Sequence, residues 1–325
     1  MIQNPKFAII TPFLGKTKDR FCEYHEDEDK AIEEKLKIVS SIENVSGIEI
    51  VYPYETPDSD LLNVSLKKYN LSVSAVNCNI KADPMFFSGA ISSNNKKVRE
   101  KAIEFIKGAK DYASAVGADK VHCAPLNDGF EYIFQENYSL AWKNIIESVS
   151  EICDYRPEID LVLEYKDSEP RANCFIDSAA KALLLCNKVG RSNIGITLDF
   201  GHALQRGENP ANELSIIADS GVPFYIHIND NNRKWDWDMI PASHNFLQYV
   251  EFIFWLREYK YSDFLAADVA PCRLDIRKTF ETTVRITSKI WDLAENLAKK
   301  EIKKLISSGD YFKVSQLIES DIYKL

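Results

Sequence analysis

Short apolar runs rich in Val and Ile recur along the chain, and stretches with apolar positions at helical period separate them. This alternation predicts repeated β–α units and a parallel sheet. Eight such runs fall near residues 7–11, 47–52, 71–77, 119–124, 160–165, 194–199, 223–228 and 264–268. Eight strands favour closure into an α/β (β/α)8 TIM barrel over an open sheet. Among the helical stretches, 27–43 and 95–117 have clear apolar spacing with charged outer faces, and 139–154 and 174–189 follow the same rule. Residues 78–94, with Asp83-Pro84, Gly89 and Ser92-Ser93, read as a loop long enough to cover a binding mouth. The expected organisation is a barrel over 1–291 and a lysine-rich helical extension over 292–325. The extension either packs on the barrel or reaches a second subunit of a dimer or tetramer.

A chain of 325 residues with 45% hydrophobic content can bury one full-sized core. Its 40 Lys+Arg against 49 Asp+Glu leave a net charge of −9, which opposes binding to a nucleic-acid backbone. The seven cysteines, scattered from Cys22 to Cys272 without a CxxC pair, suit reduced thiols in a core better than a disulfide framework. No apolar run reaches the roughly 18 residues of a membrane span. The start passes directly into the strand-like Phe7-Ala8-Ile9-Ile10 without a signal-peptide pattern, so a cytoplasmic protein is expected.

Barrel enzymes carry their reactive groups at the C-terminal ends of strands. Residues capable of chemistry gather at the ends of the last four expected strands. Leu161-Val162-Leu163 delivers Glu164, and Lys166 points to the same side two residues on. Ile196-Thr197-Leu198 delivers Asp199, with His202 following in the turn. Tyr225, His227 and Asn229 share one strand phase, and the alternating Asp236 and Asp238 of the next loop can converge on one ion. Leu265-Ala266-Ala267 delivers Asp268. Taken singly, each has an ordinary explanation: an ion-pair partner, a hydrogen-bonded core histidine, a solvated acidic loop, a strand-end turn. All of these would have to hold at four consecutive strand ends at once. Carboxylates converging inside a barrel repel one another unless a cation neutralises them. Oxygen-rich ligation with one imidazole per ion suits Mn²⁺, Mg²⁺ or Co²⁺ better than a closed structural zinc site. Mn²⁺ is the favoured ion, with Zn²⁺ also admitted, at one or two ions per chain.

These residues resemble a known family. The string Leu163-Glu164-Tyr165-Lys166-Asp167-Ser168-Glu169-Pro170-Arg171 resembles the ExKxxEPR segment of xylose isomerases. Leu198-Asp199-Phe200-Gly201-His202, His227 and the Asp236/Asp238 pair look like the two-metal site of L-rhamnose isomerases. The resemblance implies a structural ion held by Glu164, Asp199, His227 and Asp268, and a catalytic ion held by Asp199, His202, Asp236 and Asp238. It also implies Lys166 on the substrate's carbonyl-end oxygen, and an ion pair within Glu169-Pro170-Arg171 that stabilises its loop. The implied activity is aldose–ketose isomerisation of a small monosaccharide by a 1,2-hydride shift, with Glu164, Lys166, His202 and Asp268 as catalytic residues.

Related epimerases of the same fold imply an alternative, C3 epimerisation of a ketose at one metal, with Glu164 and Asp268 as the acid–base pair. Arg233 matches their arginine, six residues after the strand-seven histidine. Asp268 is shorter than the epimerases' glutamate, and an Asp236/Asp238 clamp has no purpose in a one-metal site, so the isomerase stands ahead. The isomerases' early-barrel histidine, which assists ring opening, has no counterpart in strands one to three. His122 is the candidate to replace it, ahead of Tyr52 or Tyr54. Lys166, Arg233, Trp235 and His122 are thus the expected substrate contacts, with Phe86 and Phe87 as further mouth residues. A three-zinc barrel endonuclease is disfavoured by the −9 charge and the few histidines. A non-catalytic sugar-binding or scaffold barrel would carry a broken ligand set.

Overall fold

A computed structural model describes residues 4–16 and 30–324. Cys22 and the start of the helix expected over 27–43 lie outside the described residues. Eight parallel strands close a barrel: β1 (Lys6–Ile10), β2 (Val45–Tyr52), β3 (Ser72–Cys78), β4 (Lys120–Cys123), β5 (Asp160–Glu164), β6 (Ile194–Asp199), β7 (Phe224–Ile228) and β8 (Phe264–Ala267). Each strand pairs with its sequence neighbour, and β8 closes on β1.

The two-residue period of each strand divides its side chains between two environments. On β5, Leu161 and Leu163 join the main core between strands and helices, whereas Val162 joins Ala8, Ala75, Tyr225 and Ala266 in a small cluster of its own. That second cluster fills the barrel interior, so the residues in phase with Val162 and Tyr225 further along β5 and β7, Glu164 and His227, also face inward. Small interior residues are needed where side chains crowd. A Cβ on Gly47 would lie 2.6 Å from the Phe264 ring.

The helices around the barrel are α1 (Ile32–Ser40), α2 (Ser59–Tyr69), α3 (Lys96–Val116), α4 (Tyr138–Asp154), α5 (Ala179–Val189), α6 (Phe200–Arg206), α7 (Pro210–Ser220), α8 (Phe246–Glu258) and α9 (Ile276–Lys299). Side-chain oxygens of Asp58, Asn95, Asn137 and Ser178 cap α2, α3, α4 and α5 by accepting first-turn N–H groups. The helix expected from residue 174 starts at Ala179. Asn173–Cys174 instead pairs antiparallel with Gly129–Phe130, which ties together the loops after β5 and β4. Most of 78–94 is loop, with one 3-10 turn at Pro84–Phe86.

The boundary expected at 291/292 falls inside α9, because the apolar spacing continues through the buried Trp291, Ala294 and Leu297. The chain then turns into α10 (Ile302–Ser307) and α11 (Tyr311–Ile318), which fold back on α8. Lys303 reaches Glu258 at 2.9 Å, and Ile302 and Val314 are buried. Cys78, Cys123, Cys153, Cys174 and Cys186 are buried, as core thiols should be. Among the described residues, no helix is long and apolar enough to cross a membrane.

Candidate functional site

Strand pairing places Glu164 beside Thr197 and Asp199 beside His227. Asp268 follows β8, whose Ala266 pairs with His227. One ligand atom from each of Glu164, Asp199, His227 and Asp268 lies within 4.8 Å of all the others. Nδ1 of His227 faces Glu164 Oε1 at 3.1 Å and Asp268 Oδ2 at 3.2 Å. Glu164, Asp199 and His227 are buried, while the Asp268 side chain is 17% exposed.

Local structure aims Asp199. It ends β6 and caps α6, with Oδ1 accepting the His202 N–H at 2.8 Å. Oδ2 accepts from Asn229 Nδ2 at 2.8 Å, and Asn229 Oδ1 accepts the Gly201 N–H at 2.8 Å. Only a glycine leaves room for this clamp, since a Cβ on Gly201 would lie 2.5 Å from Asn229 Oδ1.

The second expected ligand set gathers less tightly. His202 Nε2 faces Asp236 Oδ2 at 3.1 Å, and Lys166 Nζ donates to the same oxygen at 2.7 Å. Among the described residues, Asp199, His202, Asp236 and Asp238 do not as a set bring ligand atoms within 4.8 Å of one another. The Lys166 ammonium occupies the carboxylate expected to face a cation. Asp236 Oδ1 is buried and has no hydrogen-bond partner, and a buried orphan oxygen at a site is often the mark of an ion or water.

Opposite charges are packed closely around these ligands. Burial alone would lower the His202 pKa, but Asp199, Asp236 and Glu164 outweigh it and push the ring up to about 10. For Asp199, burial is the largest effect and raises the carboxyl to about 7, with His202 opposing. Asp238 is pushed well above the usual carboxylate range by burial and by Asp236 and Asp268. Against burial, His202, His122 and His227 hold Glu164, and His202 and Lys166 hold Asp236, below the usual carboxylate range, so cationic side chains and bound protons share the balancing of these carboxylates. Oxygen and imidazole donors of this kind fit a divalent cation.

A cavity of about 1190 Å³ opens beside these groups, lined by Trp235, Asp236, Trp237, Asp238, Glu169 and Val269 among others.

The family model of the xylose isomerase-like TIM barrels matches residues 36–283. The chain belongs to that family. Among its relatives, the xylose isomerase of Thermus thermophilus is 25% identical over 187 residues, covering 56% of this chain and 48% of that protein. The xylose isomerase of Bacillus cereus is 24% identical over 185 residues, covering 55% of this chain and 42% of that protein. The chain thus spans about half the length of the xylose isomerases it matches. Solved structures share the fold: an L-ribulose 3-epimerase superposes with TM-score 0.71 at 16% identity, covering 90% of this chain and 96% of that one. A D-tagatose 3-epimerase-like protein superposes with TM-score 0.68 at 18% identity, covering 91% and 99%.

Within this xylose isomerase-like barrel, several expected contacts sit elsewhere. His122 is buried at 1% exposure, with Nδ1 on Glu49 at 3.1 Å and Nε2 on Glu164 at 3.2 Å, so it stands against the quartet with both nitrogens engaged by carboxylates. Arg233 is exposed, turns to Asn245 Oδ1 at 3.3 Å and does not line the cavity. Trp235 does line it. Phe86 is buried against the edge of Phe105 instead of standing at a mouth. Arg171 pairs with Glu131 of the preceding loop and donates to Asn127 O at 2.8 Å, while Glu169 faces Lys166 at 3.1 Å. The expected pairing within Glu169-Pro170-Arg171 is therefore replaced, because the loops after β4 and β5 run side by side. Glu49 was missed altogether. Its one signal is a carboxylate inside the apolar run Ile48-Glu49-Ile50-Val51.

Proposed function

We propose that this protein is a divalent-metal-dependent aldose–ketose isomerase of a small monosaccharide. The observation that carries the reading is the convergence of Glu164, Asp199, His227 and Asp268 beside His202, Asp236 and Lys166, with a buried orphan oxygen on Asp236. Glu164, Asp199, His227 and Asp268 would hold one ion, and Asp199, His202, Asp236 and Asp238 a second. A bound divalent ion supplies Lewis acidity to the oxygens on the reacting carbons. Lys166, held 2.7 Å from Asp236, stands ready to donate to the carbonyl oxygen of an open-chain sugar and so steady its developing charge. Trp235 and Trp237 offer flat apolar faces to the sugar ring or chain at the mouth. In this reading hydride passes from C2 to C1 of the sugar while the hydroxyl proton moves from O2 to O1. No carbon-bound proton is handed to the protein.

A second reading, epimerisation at C3 of a ketose, is favoured by one observation: the first quartet closes tightly while the second set does not. Glu164 and Asp268 both stand about the Nδ1 of His227, at 3.1 and 3.2 Å, and would exchange the C3 proton on opposite faces. A panel of aldoses and ketoses incubated with the Mn²⁺- or Co²⁺-supplemented protein in D₂O, with products read by NMR, separates the two. Isomerisation predicts an aldose–ketose pair without deuterium on carbon. A C3 epimer carrying deuterium would replace the isomerase with the second reading, and an absence of turnover across the panel would oppose both.

A further inference from the structure

Glu49 takes no part in the chemistry above, yet it is fully buried among the site's histidines. It enters the barrel from β2, opposite the strands that carry the quartet. Its carboxylate is engaged on both oxygens. Oε1 accepts from Asn77 Nδ2 at 2.8 Å and faces His122 Nδ1 at 3.1 Å. Oε2 faces Nε2 of His227 at 3.0 Å. The other nitrogen of that same ring, Nδ1, faces the ligand carboxylates Glu164 and Asp268.

An ionised carboxylate only accepts hydrogen bonds, so the contact at Nε2 calls for a ring N–H there. By the same argument Nδ1, which faces Glu164 and Asp268, carries an N–H in the ion-free protein; an ion seated in the quartet takes the place of that proton and leaves the neutral Nε2–H tautomer with its lone pair on Nδ1. Hydrogen-bond partners of this kind fix the tautomer and orientation of metal-ligating histidines. We propose that Glu49 is a positioning residue that holds His227 as its Nε2–H tautomer and so aims the Nδ1 lone pair at an ion in the quartet. This rests on reading the quartet as a metal centre. Asn77 and His122, cross-strand partners on β3 and β4, fix Glu49 in turn. His122 then continues the chain of contacts to Glu164 Oε2 at 3.2 Å.

Donor atoms of Glu49, His122 and His227 also lie within 4.8 Å of one another, so the rival assignment is a further ion among these three. That ion would require His227 to lose the Nε2 proton while Nδ1 serves the quartet, leaving an imidazolate between two cations. The positioning role needs only a neutral ring.

Zinc serves as the probe, since it is diamagnetic and accepts this donor set. Protein with ¹⁵N-labelled histidine is titrated with Zn²⁺, its stoichiometry and affinity are measured, and long-range ¹H–¹⁵N spectra read which ring nitrogen carries the proton. Single His→Gln variants assign the resonances. The expected spectrum of the zinc-bound wild type has His227 protonated at Nε2 with Nδ1 shifted by zinc. Glu49→Gln is expected to keep the zinc stoichiometry and to weaken affinity roughly 10- to 100-fold. A His227 ring protonated at Nδ1 in the zinc-bound protein, or an unchanged affinity in Glu49→Gln, would overturn the proposal. Loss of one zinc per chain in Glu49→Gln would overturn it in favour of the further ion. If Glu49→Gln does not fold, the wild-type tautomer alone decides. Failure of the wild-type protein to bind zinc at all would sink the metal-centre reading itself, a result distinct from any of these.

Discussion

His202 and Asp199 each meet opposed influences. Burial disfavours a charged imidazole, but the carboxylates of Asp199, Asp236 and Glu164 reverse that and raise His202 to about 10. Asp199, raised to about 7 chiefly by burial, is partly protonated at neutral pH. A ligating imidazole must be neutral and a ligating carboxylate ionised, so binding a cation here displaces protons. The sign follows directly: both raised values mean protons are held near pH 7 in the ion-free protein, and lowering the pH makes them harder to displace. Addition of Mn²⁺ to weakly buffered protein at pH 7 is expected to release protons, and its affinity to tighten from pH 6 to pH 9. An affinity flat across that range, with no proton release, would show that these two residues do not bind the ion.

Between β6 and α6, four consecutive residues do separate work. Asp199 ends the strand and caps the helix, Phe200 enters the core, Gly201 admits the Asn229 carboxamide, and His202 turns toward Asp236. Because the clamp from Asn229 holds both Gly201 and Asp199, Gly201→Ala should disturb ligand geometry and packing together. Forcing a methyl into a filled space typically costs about 1–3 kcal/mol. Denaturant titration should show that loss, and divalent-ion affinity should fall with it. A variant as stable as the parent and with the same affinity would mean that the Asn229 clamp is incidental. The strand elements themselves were legible because most are short apolar runs, separated by stretches of helical period. The start of α5 was not, because Asn173–Cys174 pairs with residues more than forty positions earlier and helical periodicity carries no trace of that.

The quartet draws on β5, β6, β7 and the turn after β8, so an ion there would tie half the barrel circumference together. A ligand present at a hundred times its Kd stabilises the state that binds it by about 2.7 kcal/mol. For a chain of 325 residues, whose unfolding entropy is about 0.7 kcal/mol/K, that corresponds to a rise in melting temperature of roughly 4 °C. Scanning calorimetry with excess Mn²⁺ is expected to show such a rise, reversed by chelator. Identical melting with and without divalent ions would leave no native-state site. The C-terminal α10 and α11 fold onto α8 on the outside of the barrel, with Lys303 on Glu258, so their removal bears on packing there and not on the ligand set.

Short apolar runs separated by stretches of helical period were enough to place all eight strands and to single out Glu164, Asp199, His227 and Asp268, because a barrel strand buries most of its body and presents most of its polar groups toward its C-terminal end. Charge compensation was invisible in that pattern. Whether Asp236 meets a cation or Lys166, whether Arg171 pairs with Glu169 or Glu131, and where His122 and Arg233 point all depend on which loops lie side by side. Glu49 shows the same limit: it stands 178 positions from His227 in the chain, and only closure of the barrel brings its carboxylate against that ring.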